Sequence, residues 1–316
     1  MSTTVHGIHH VTAIAGDPQE NLNFYMGVLG LRLVKRSVNQ DAPDTYHLFY
    51  ADAAGSPGTD LTFFPWPNMG PGRAGTGMAM EVSFAISRHS LSYWQDRLAA
   101  FGVSMEPLTT RFGETTLPFR DPHGLRLALV VADGVPEAVP WPQSPVPVAH
   151  QLRGFHAVRL WVRRLDATAA LLTGPMGFRE PVVEGEWHRF AVAEGGSARF
   201  VDVRAAPGER PGAWGVGMIH HVAWRVRDDA EELALRRAVI AAGLQPTPPI
   251  DRFWFRSVYF REPGGVLFEL ATDGPGFAVD EDPAHLGEQL ILPPWLEPHR
   301  RAIAAALPPL TLPVSG

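Results

Sequence analysis

The sequence predicts an α+β protein made of four βαβββ modules, two in each half of the chain. Three observations predict this fold class. Similar segments recur at constant spacing along the 316 residues, a proline-rich segment separates the halves, and each module opens with a short apolar strand followed by a helical stretch. Constant spacing between similar segments is typical of duplicated structural units, and the length suits two domains.

Two pairs of matching segments indicate the duplication. Residues 7–11, Gly-Ile-His-His-Val, resemble residues 154–158, Gly-Phe-His-Ala-Val, at a spacing of 147. Residues 119–124, Phe-Arg-Asp-Pro-His-Gly, resemble residues 260–265, Phe-Arg-Glu-Pro-Gly-Gly, at a spacing of 141. We therefore expect a duplicated half-chain.

The expected organisation has four parts. Modules 1 and 2 occupy residues 1–133, and modules 3 and 4 occupy residues 151–275. The linker, 134–150, contains five prolines, a composition that favours an extended connection. The tail, 276–316, is expected to form one short helix between Glu297 and Leu307, because two prolines follow it.

The elements of each module follow from local patterns. Short apolar runs bounded by turn residues predict the opening strands, at 8–14, 80–86, 155–162 and 219–226. A helix follows each strand, at 21–29, 91–101, 165–173 and 230–242, and the first of them comes just after Asp17-Pro18, a typical N-terminal signal. Strands separated by turns rich in glycine and proline complete each module.

Composition excludes several classes of chemistry. The chain has no cysteine, which excludes disulfides, thiolate nucleophiles and cysteine-ligated zinc or iron–sulfur centres. Lys35 is the one lysine, so a Schiff base would have to form there. A net charge of −6 without a basic cluster argues against a nucleic-acid partner. Apolar runs are too short to span a membrane, and we expect a cytoplasmic protein.

Two His-His pairs begin the opening strands of modules 1 and 4, at His9-His10 and His220-His221. Successive side chains of a strand point to opposite faces. His220 shares its face with apolar residues such as Val222 and Trp224, whereas His221 shares its face with a smaller, more polar set. His221 is therefore the better candidate for a metal ligand, and His10 is its equivalent in the first pair.

A carboxylate completes a possible metal site. Glu269 interrupts the apolar strand Val266-Leu267-Phe268-Glu269-Leu270, where a buried charge is costly unless it is paired or binds a metal. An edge position or a pairing with arginine is the alternative. Two histidines and one carboxylate form a facial triad, which leaves coordination positions open on Fe(II) or Mn(II).

The duplication tests this interpretation internally. Shifting by 141 residues places Met80 at the position of His221 and Ala128 at that of Glu269, and shifting by 147 places Ala157 at that of His10. One copy of the candidate ligand set is kept, and in the other copy all three candidate ligands are replaced by residues that do not bind a metal. Aligning Pro57 with Pro263 places Phe63 at the position of Glu269, so a fourth ligand is absent. We expect modules 1 and 4 to share the metal cavity and modules 2 and 3 to form a metal-free partner.

These residues resemble the vicinal oxygen chelate superfamily, and within it the dioxygenases that cleave hydroquinone rings. The motifs that carry the resemblance are Ile8-His9-His10-Val11-Thr12, Leu33-Val34-Lys35-Arg36, Tyr46-His47-Leu48, Gly55-Ser56-Pro57-Gly58-Thr59, Ile219-His220-His221 and Pro263-Gly264-Gly265-Val266-Leu267-Phe268-Glu269. The resemblance covers nearly the whole chain. It implies paired βαβββ modules that form two open-barrel domains.

The resemblance also implies site residues. Iron ligands would be His10, His221 and Glu269, in agreement with strand alternation. Positions beside the metal would be His9, Thr12, His220, Arg252 and Tyr259. Alternation places His9 and His220 on the opposite face, so a β-bulge would be needed to bring them inward. Tyr259 matches Pro118 in the erased copy, whereas Arg252 matches Arg111 and is expected to be partly structural.

The function expected from the resemblance is Fe(II)-dependent, extradiol-type ring cleavage of a hydroquinone or catechol-like diol by O2. A histidine or tyrosine with a pKa near neutral would transfer protons, and Arg252 would stabilise negative charge. Cavity-wall candidates are Phe63, Trp254, Phe255 and Phe277. The alternatives are a metal-dependent glyoxalase- or epimerase-like enzyme and a metal-free protein that binds aromatic compounds. A homo-oligomer is compatible with either class. The acidic run 280–282 is expected to be a solvated turn.

Overall fold

The structure is a computed structural model that describes residues 4–132, 138–192 and 198–312. Part of the proline-rich linker, including Pro136, lies outside these residues. Four βαβββ modules follow one another along the chain, as predicted.

The element bounds agree closely with the sequence patterns. Module 1 contains β1 (Ile8–Ala15), α1 (Pro18–Leu22) continuing as a π-helical turn (Asn23–Val28), β2 (Arg32–Asn39), β3 (Ala42–Ala51) and β4 (Asp60–Pro65). Module 2 contains β5 (Met78–Ile86), α2 (Leu91–Ala100), β6 (Thr109–Arg111), β7 (Glu114–Arg120) and β8 (Arg126–Val131).

The second half repeats this order. Module 3 contains β9 (Phe155–Val162), α3 (Leu165–Thr173), β10 (Val182–Glu184), β11 (Trp187–Ala191) and β12 (Phe200–Ala205). Module 4 contains β13 (Ile219–Val226), α4 (Asp229–Ala241), β14 (Ile250–Asp251), β15 (Arg256–Arg261) and β16 (Leu267–Thr272). In the tail, a 3-10 turn (Glu297–His299) leads into α5 (Arg300–Ala306), which confirms the predicted short helix.

The strands form two eight-stranded sheets that each combine modules from different halves of the chain. One sheet has the order β14-β15-β16-β13-β1-β4-β3-β2, and the other β10-β11-β12-β9-β5-β8-β7-β6. The opening strands β1 and β13 pair antiparallel at the centre of the first sheet, as β5 and β9 do in the second. The predicted pairing of modules 1 with 4 and 2 with 3 is confirmed.

The connection between modules 1 and 2 and the connection between modules 3 and 4 run side by side. The segment 66–77 runs beside 207–217, where Arg73 and Ala213 exchange backbone hydrogen bonds of 2.9 Å. The backbones approach so closely that a Cβ added to Gly75 would lie 2.2 Å from the carbonyl oxygen of Arg210. Trp214 lies in the second of these segments, and its ring stacks on that of His220 in β13 at 4.3 Å.

The tail packs into the concave side of the first sheet. Phe277 and Leu286 belong to a buried apolar cluster with Phe49, Trp254 and Phe255. The expectation of a solvated acidic turn at 280–282 is wrong for Asp280 and Glu281, because both form ion pairs with the buried Lys35. None of the helices in the described residues is long and apolar enough to cross a membrane.

Candidate metal centre

Two β-bulges shape the start of the paired strands β1 and β13. Ile8 lies opposite Trp224 and His10 opposite Ala223, so His9 is an extra residue. Thr12 lies opposite His221 and Ala13 opposite Ile219, so His220 is the extra residue on the partner strand. A bulge re-aims a side chain, and each bulged histidine here contacts the ring of the histidine that follows it. The bulges needed for His9 and His220 are therefore present.

His10, His221 and Glu269 converge on one point. The Nε2 atoms of the two histidines are 3.3 Å apart. The Oε2 atom of Glu269 lies 3.3 Å from the Nε2 atom of His10 and 2.9 Å from the Nε2 atom of His221. All three side chains are at least 95% buried. They form a group whose ligand atoms all lie within 4.8 Å of one another, the arrangement that a divalent cation requires.

Glu269 fits a metal ion better than it fits an ordinary buried pair. Its Oε1 accepts a hydrogen bond of 2.5 Å from the Ser257 hydroxyl, whereas its fully buried Oε2 has no hydrogen-bond partner. Burial alone raises the pKa of Glu269, but His10 and His221 outweigh it and hold the pKa well below its usual range. The carboxylate is therefore ionised, with one free oxygen directed at the two imidazoles.

The bulged histidines orient the candidate ligands. The Nδ1 atoms of His9 and His10 are 2.9 Å apart, and those of His220 and His221 are 2.8 Å apart. Burial, with the neighbouring histidine, lowers the pKa of both His9 and His220 to about 3, so both are neutral. With the bridging proton on His10 and His221, their Nε2 lone pairs would be free to bind a metal ion together with Glu269, the arrangement typical of metal-binding histidines.

A cavity of about 390 Å³, counted with its mouth, lies against His10 and His221. Its walls are largely aromatic, and its polar residues come from the turn between β2 and β3 and from the strands next to Glu269. The lining residues are His10, Asn39, Gln40, Asp41, His47, Phe49, Phe64, His221, Arg252, Trp254, Phe255 and Tyr259. Small-ligand sites typically combine apolar walls with a few polar groups in this way.

The other sequence-predicted residues lie around this cavity. Tyr259 lies beside Glu269 in the sheet, and its ring contacts that of His221 edge-on at 5.8 Å. The Arg252 guanidinium lies over the Tyr259 ring and is 3.0 Å from the Asp41 carboxylate. Thr12 is buried beneath the cavity, and its hydroxyl bonds that of Thr62 at 2.8 Å.

No near-neutral pKa is found at the residues proposed for proton transfer. Burial raises the pKa of Tyr259 further above its usual range, with Glu269 adding to the shift. Burial lowers the pKa of His47 well below its usual value. Tyr259 is therefore a hydrogen-bond donor and His47 a neutral imidazole. The expectation that a neighbouring histidine or tyrosine transfers protons stays a prediction.

The geometry agrees with similarities to known proteins. The sequence model of the Glyoxalase/Bleomycin resistance protein/Dioxygenase superfamily matches residues 7–129 and 154–270. The chain belongs to this superfamily. It is 42% identical to "Putative ring-cleaving dioxygenase MhqO" of Bacillus subtilis over 98% of both chains. It is 35% identical to the chlorohydroquinone/hydroquinone 1,2-dioxygenase of Sphingobium indicum over 93% of both chains. A crystal structure of a "putative dioxygenase" from Bacillus subtilis superposes with a TM-score of 0.95 at 41% identity, covering 99% of each chain.

The strand registers correct one position of the erased copy. In this superfamily fold the opening strand of each module pairs with its last strand, and Ala223 pairs with Glu269 as Ser83 pairs with Ala128. Two residues earlier on each strand, His221 corresponds to Glu81 and not to Met80. The spacing of 141 fails here because module 4 has one more residue between its first strand and the end of its helix.

The fourth-ligand position also moves by one residue. Thr12, two residues after His10, pairs with Thr62, just as Ala223, two residues after His221, pairs with Glu269. Thr62, and not Phe63, therefore occupies the position of Glu269 in module 1. Pro263 lies four residues before the start of β16, whereas Pro57 lies three residues before the start of β4, which explains the error. A fourth carboxylate is absent either way.

An ion-pair cluster stands where the second sheet would hold its metal. Arg111 binds Glu81 at 2.5 Å, and Arg189 binds Asp202 at 2.7 Å and Glu114 at 2.5 Å. Asp202 lies opposite Arg159 in the sheet, at the position that Thr62 has in module 1. The acidic side chains that remain here are thus neutralised by arginine.

Sequence reasoning missed half of the cavity. Of the four aromatic wall candidates, Trp254 and Phe255 line it, whereas Phe63 packs in the main core and Phe277 lies behind the wall. His47 was available from the motif Tyr46-His47-Leu48, yet its neighbours became visible only when β3 and β4 were placed side by side. The missed lining residues are Asn39, Gln40, Asp41, His47, Phe49 and Phe64.

Proposed function

We propose that this chain is an Fe(II)-dependent, extradiol-type ring-cleaving dioxygenase that opens a hydroquinone or catechol-like diol with O2. One observation carries the proposal: the two histidines and one carboxylate meet at a cavity with aromatic walls, and Thr62 stands where a fourth carboxylate would close the site. Relatives named as ring-cleaving and hydroquinone dioxygenases support the same reaction class.

His10, His221 and Glu269 are the proposed ligands. A facial triad of this type suits Fe(II), with Mn(II) as the second candidate. Bound there, the metal would supply adjacent coordination positions for a diol oxygen and for O2 and would carry electrons between them. His9 and His220 hold the ligand imidazoles in the required tautomer through their Nδ1 atoms.

The remaining lining residues would hold the diol. His47 uses Nε2 on the Thr62 hydroxyl at 2.8 Å, which leaves Nδ1 for a substrate hydroxyl. Tyr259 lines the cavity, and burial keeps it protonated, so its hydroxyl could donate a hydrogen bond to a bound diol. Burial opposes the charge of Arg252, but Tyr259 and Asp41 keep its pKa above the usual value, so it can stabilise negative charge on the ring-opened product.

Thr62 separates this proposal from a Lewis-acid enzyme of the glyoxalase type. An enzyme of that type uses a metal that exchanges no electrons and is normally held by a fourth protein ligand. Thr62 Oγ1 is already hydrogen-bonded to both Thr12 and His47. The observation therefore favours an open site.

The test is metal analysis and O2 uptake on anaerobically purified protein loaded with Fe(II) or Mn(II). On adding hydroquinone, methylhydroquinone or catechol, we expect one O2 consumed per diol, with both atoms of ¹⁸O2 in a ring-opened acid. Metal binding without O2 uptake for any diol would refute the redox proposal and favour the Lewis-acid alternative. Diol binding by metal-free protein, unchanged by added metal, would favour the binding protein.

A further inference from the structure

We propose that Lys35 and Asp280 are specificity-determining positioning residues that fix the indole of Trp254, and with it the aromatic wall that faces the bound ring. The inference rests on the proposed function, because it concerns the same cavity. Neither residue lines the cavity. Each acts through contacts with the tail segment 276–281 that packs behind the wall.

Lys35 is a buried cation at the centre of this arrangement. Its side chain is fully buried, although lysine is among the residues least often buried. Its Nζ donates to the carbonyl oxygen of Phe277 at 3.0 Å and to Asp280 at 2.6 Å, and it also pairs with Glu281. A buried ammonium is tolerated only when its donors are paired in this way. Lys35 thus fastens the tail to strand β2.

Asp280 connects this cation to the cavity wall. Its Oδ1 accepts from Lys35, and its Oδ2 accepts from the indole Nε1 of Trp254 at 3.0 Å. The Lys35 ammonium also lies 5.3 Å from the Trp254 ring centroid. The backbone N–H of Gly276 donates to the carbonyl oxygen of Trp254 at 2.8 Å. Both ends of Trp254 are therefore held by the tail.

The wall touches the metal centre directly. Phe255 follows Trp254, and its ring lies 5.1 Å from that of His10 and 5.4 Å from that of His9. A buried indole N–H without an acceptor is costly, so removing the Asp280 carboxylate favours another position of the ring. Any displacement of Trp254 changes the room available to a ring bound beside His10.

The wall and its support occur on the metal side of the fold. The registers of β7 and β15 make Gly113 and Glu114 the equivalents of Trp254 and Phe255 in the second sheet. There Glu114 joins the arginine cluster. The aromatic pair is thus restricted to the half of the fold with the triad.

A double-mutant cycle on the full-length, iron-loaded protein tests this inference. Asp280→Ala should raise KM for methylhydroquinone about tenfold with kcat within about twofold, because it removes an interaction that shapes the ground state. In a Trp254→Phe background, which lacks the indole N–H, the same substitution should change KM less than about twofold. Asp280→Asn, whose one carbonyl oxygen cannot accept from both Lys35 and the indole, should give a KM between the native value and that of Asp280→Ala. Asp282→Ala is the matched control, since this exposed acid caps a 3-10 turn and does not contact Trp254.

Anaerobic calorimetry with methylhydroquinone measures the dissociation constants of the same four variants in the absence of turnover. Equal effects of Asp280→Ala in both backgrounds would show that Asp280 acts only through the fold and would overturn the inference. An unchanged KM in the native background would overturn it as well. Loss of metal binding or of all O2 uptake in the unmodified protein would instead remove the proposed function, and the positioning inference would fail with it.

Discussion

Glu269→Gln changes the charge and hydrogen-bond polarity of one ligand atom while preserving its shape. Ser257 donates to Oε1 at 2.5 Å, so the amide oxygen of the glutamine remains there and its NH2 group takes the place of Oε2. The two N–H groups then face the Nε2 atoms of His221 and His10, which lie 2.9 and 3.3 Å from Oε2 in the native chain. The amide therefore occupies the lone pairs that a metal needs.

The expected loss is large. Residues that orient ligands typically contribute 10–100-fold to metal affinity, and we expect Ser257→Ala to fall in this range. Glu269→Gln removes the one anionic ligand and blocks both histidines, so we expect a loss of more than about 100-fold, or about 2.7 kcal/mol. The variant should fold, because the amide pairs with both imidazoles.

The assay is anaerobic Fe(II) titration against a competing chelator, with O2 uptake and thermal unfolding in parallel. At 100 times the dissociation constant, a ligand stabilises the folded state by about 2.7 kcal/mol, so Fe(II) should raise the Tm of the native protein and leave Glu269→Gln unchanged. Glu232→Gln, at a buried carboxylate on α4, is the matched control for metal affinity and for the shift in Tm that Fe(II) causes. Native metal affinity or native O2 uptake in Glu269→Gln would refute the ligand assignment.

Three further predictions concern the surroundings of the site. Thr62→Glu should add a fourth ligand, so that metal binding tightens while O2 uptake falls at least about tenfold; both are measured on one preparation. Arg189→Met should cost about 3–5 kcal/mol in urea unfolding, because it removes both arginine hydrogen bonds of the buried Asp202 carboxylate and leaves only Arg159 beside it, at 3.8 Å. Metal content should be unchanged. Burial raises the pKa of Glu232 to about 7. Since the folded pKa exceeds the usual 4.5, this group lowers stability as pH rises from about 4.5 through 7. Glu232→Gln should therefore be more stable than the native protein above pH 7, with the difference shrinking below pH 4.5.

The sequence was sufficient for the modules, their pairing and the three candidate ligands. Period-two alternation selected His221 over His220, and the duplication required the kept copy to lie between modules 1 and 4. Alternation concerns neighbouring residues of one strand, and the duplication is a comparison of segments within the chain. Neither inference depends on how side chains distant in sequence pack.

The errors have a different origin. The sequence comparison matched Met80 to His221 and Phe63 to Glu269, each one residue away from the true equivalent. A one-residue insertion changes the spacing between matching segments, and only the hydrogen-bonded register of the strands reveals the insertion. The contact of Lys35 with Asp280 joins residues 245 positions apart. No periodicity predicts such a pair, and the acidic run looked like a solvated turn because its partner is distant in sequence.

The burial of Lys35 has a consequence for the chemistry of the protein surface. Because the chain has no cysteine and its one lysine is fully buried, no thiol and no side-chain amine meets solvent. Quinones, which form when hydroquinones lose two electrons, arylate thiols and amines. An enzyme working among such electrophiles would offer them only its N-terminal amine and weaker nucleophiles such as exposed imidazoles. Quinones formed from its substrates would therefore have little to attach to.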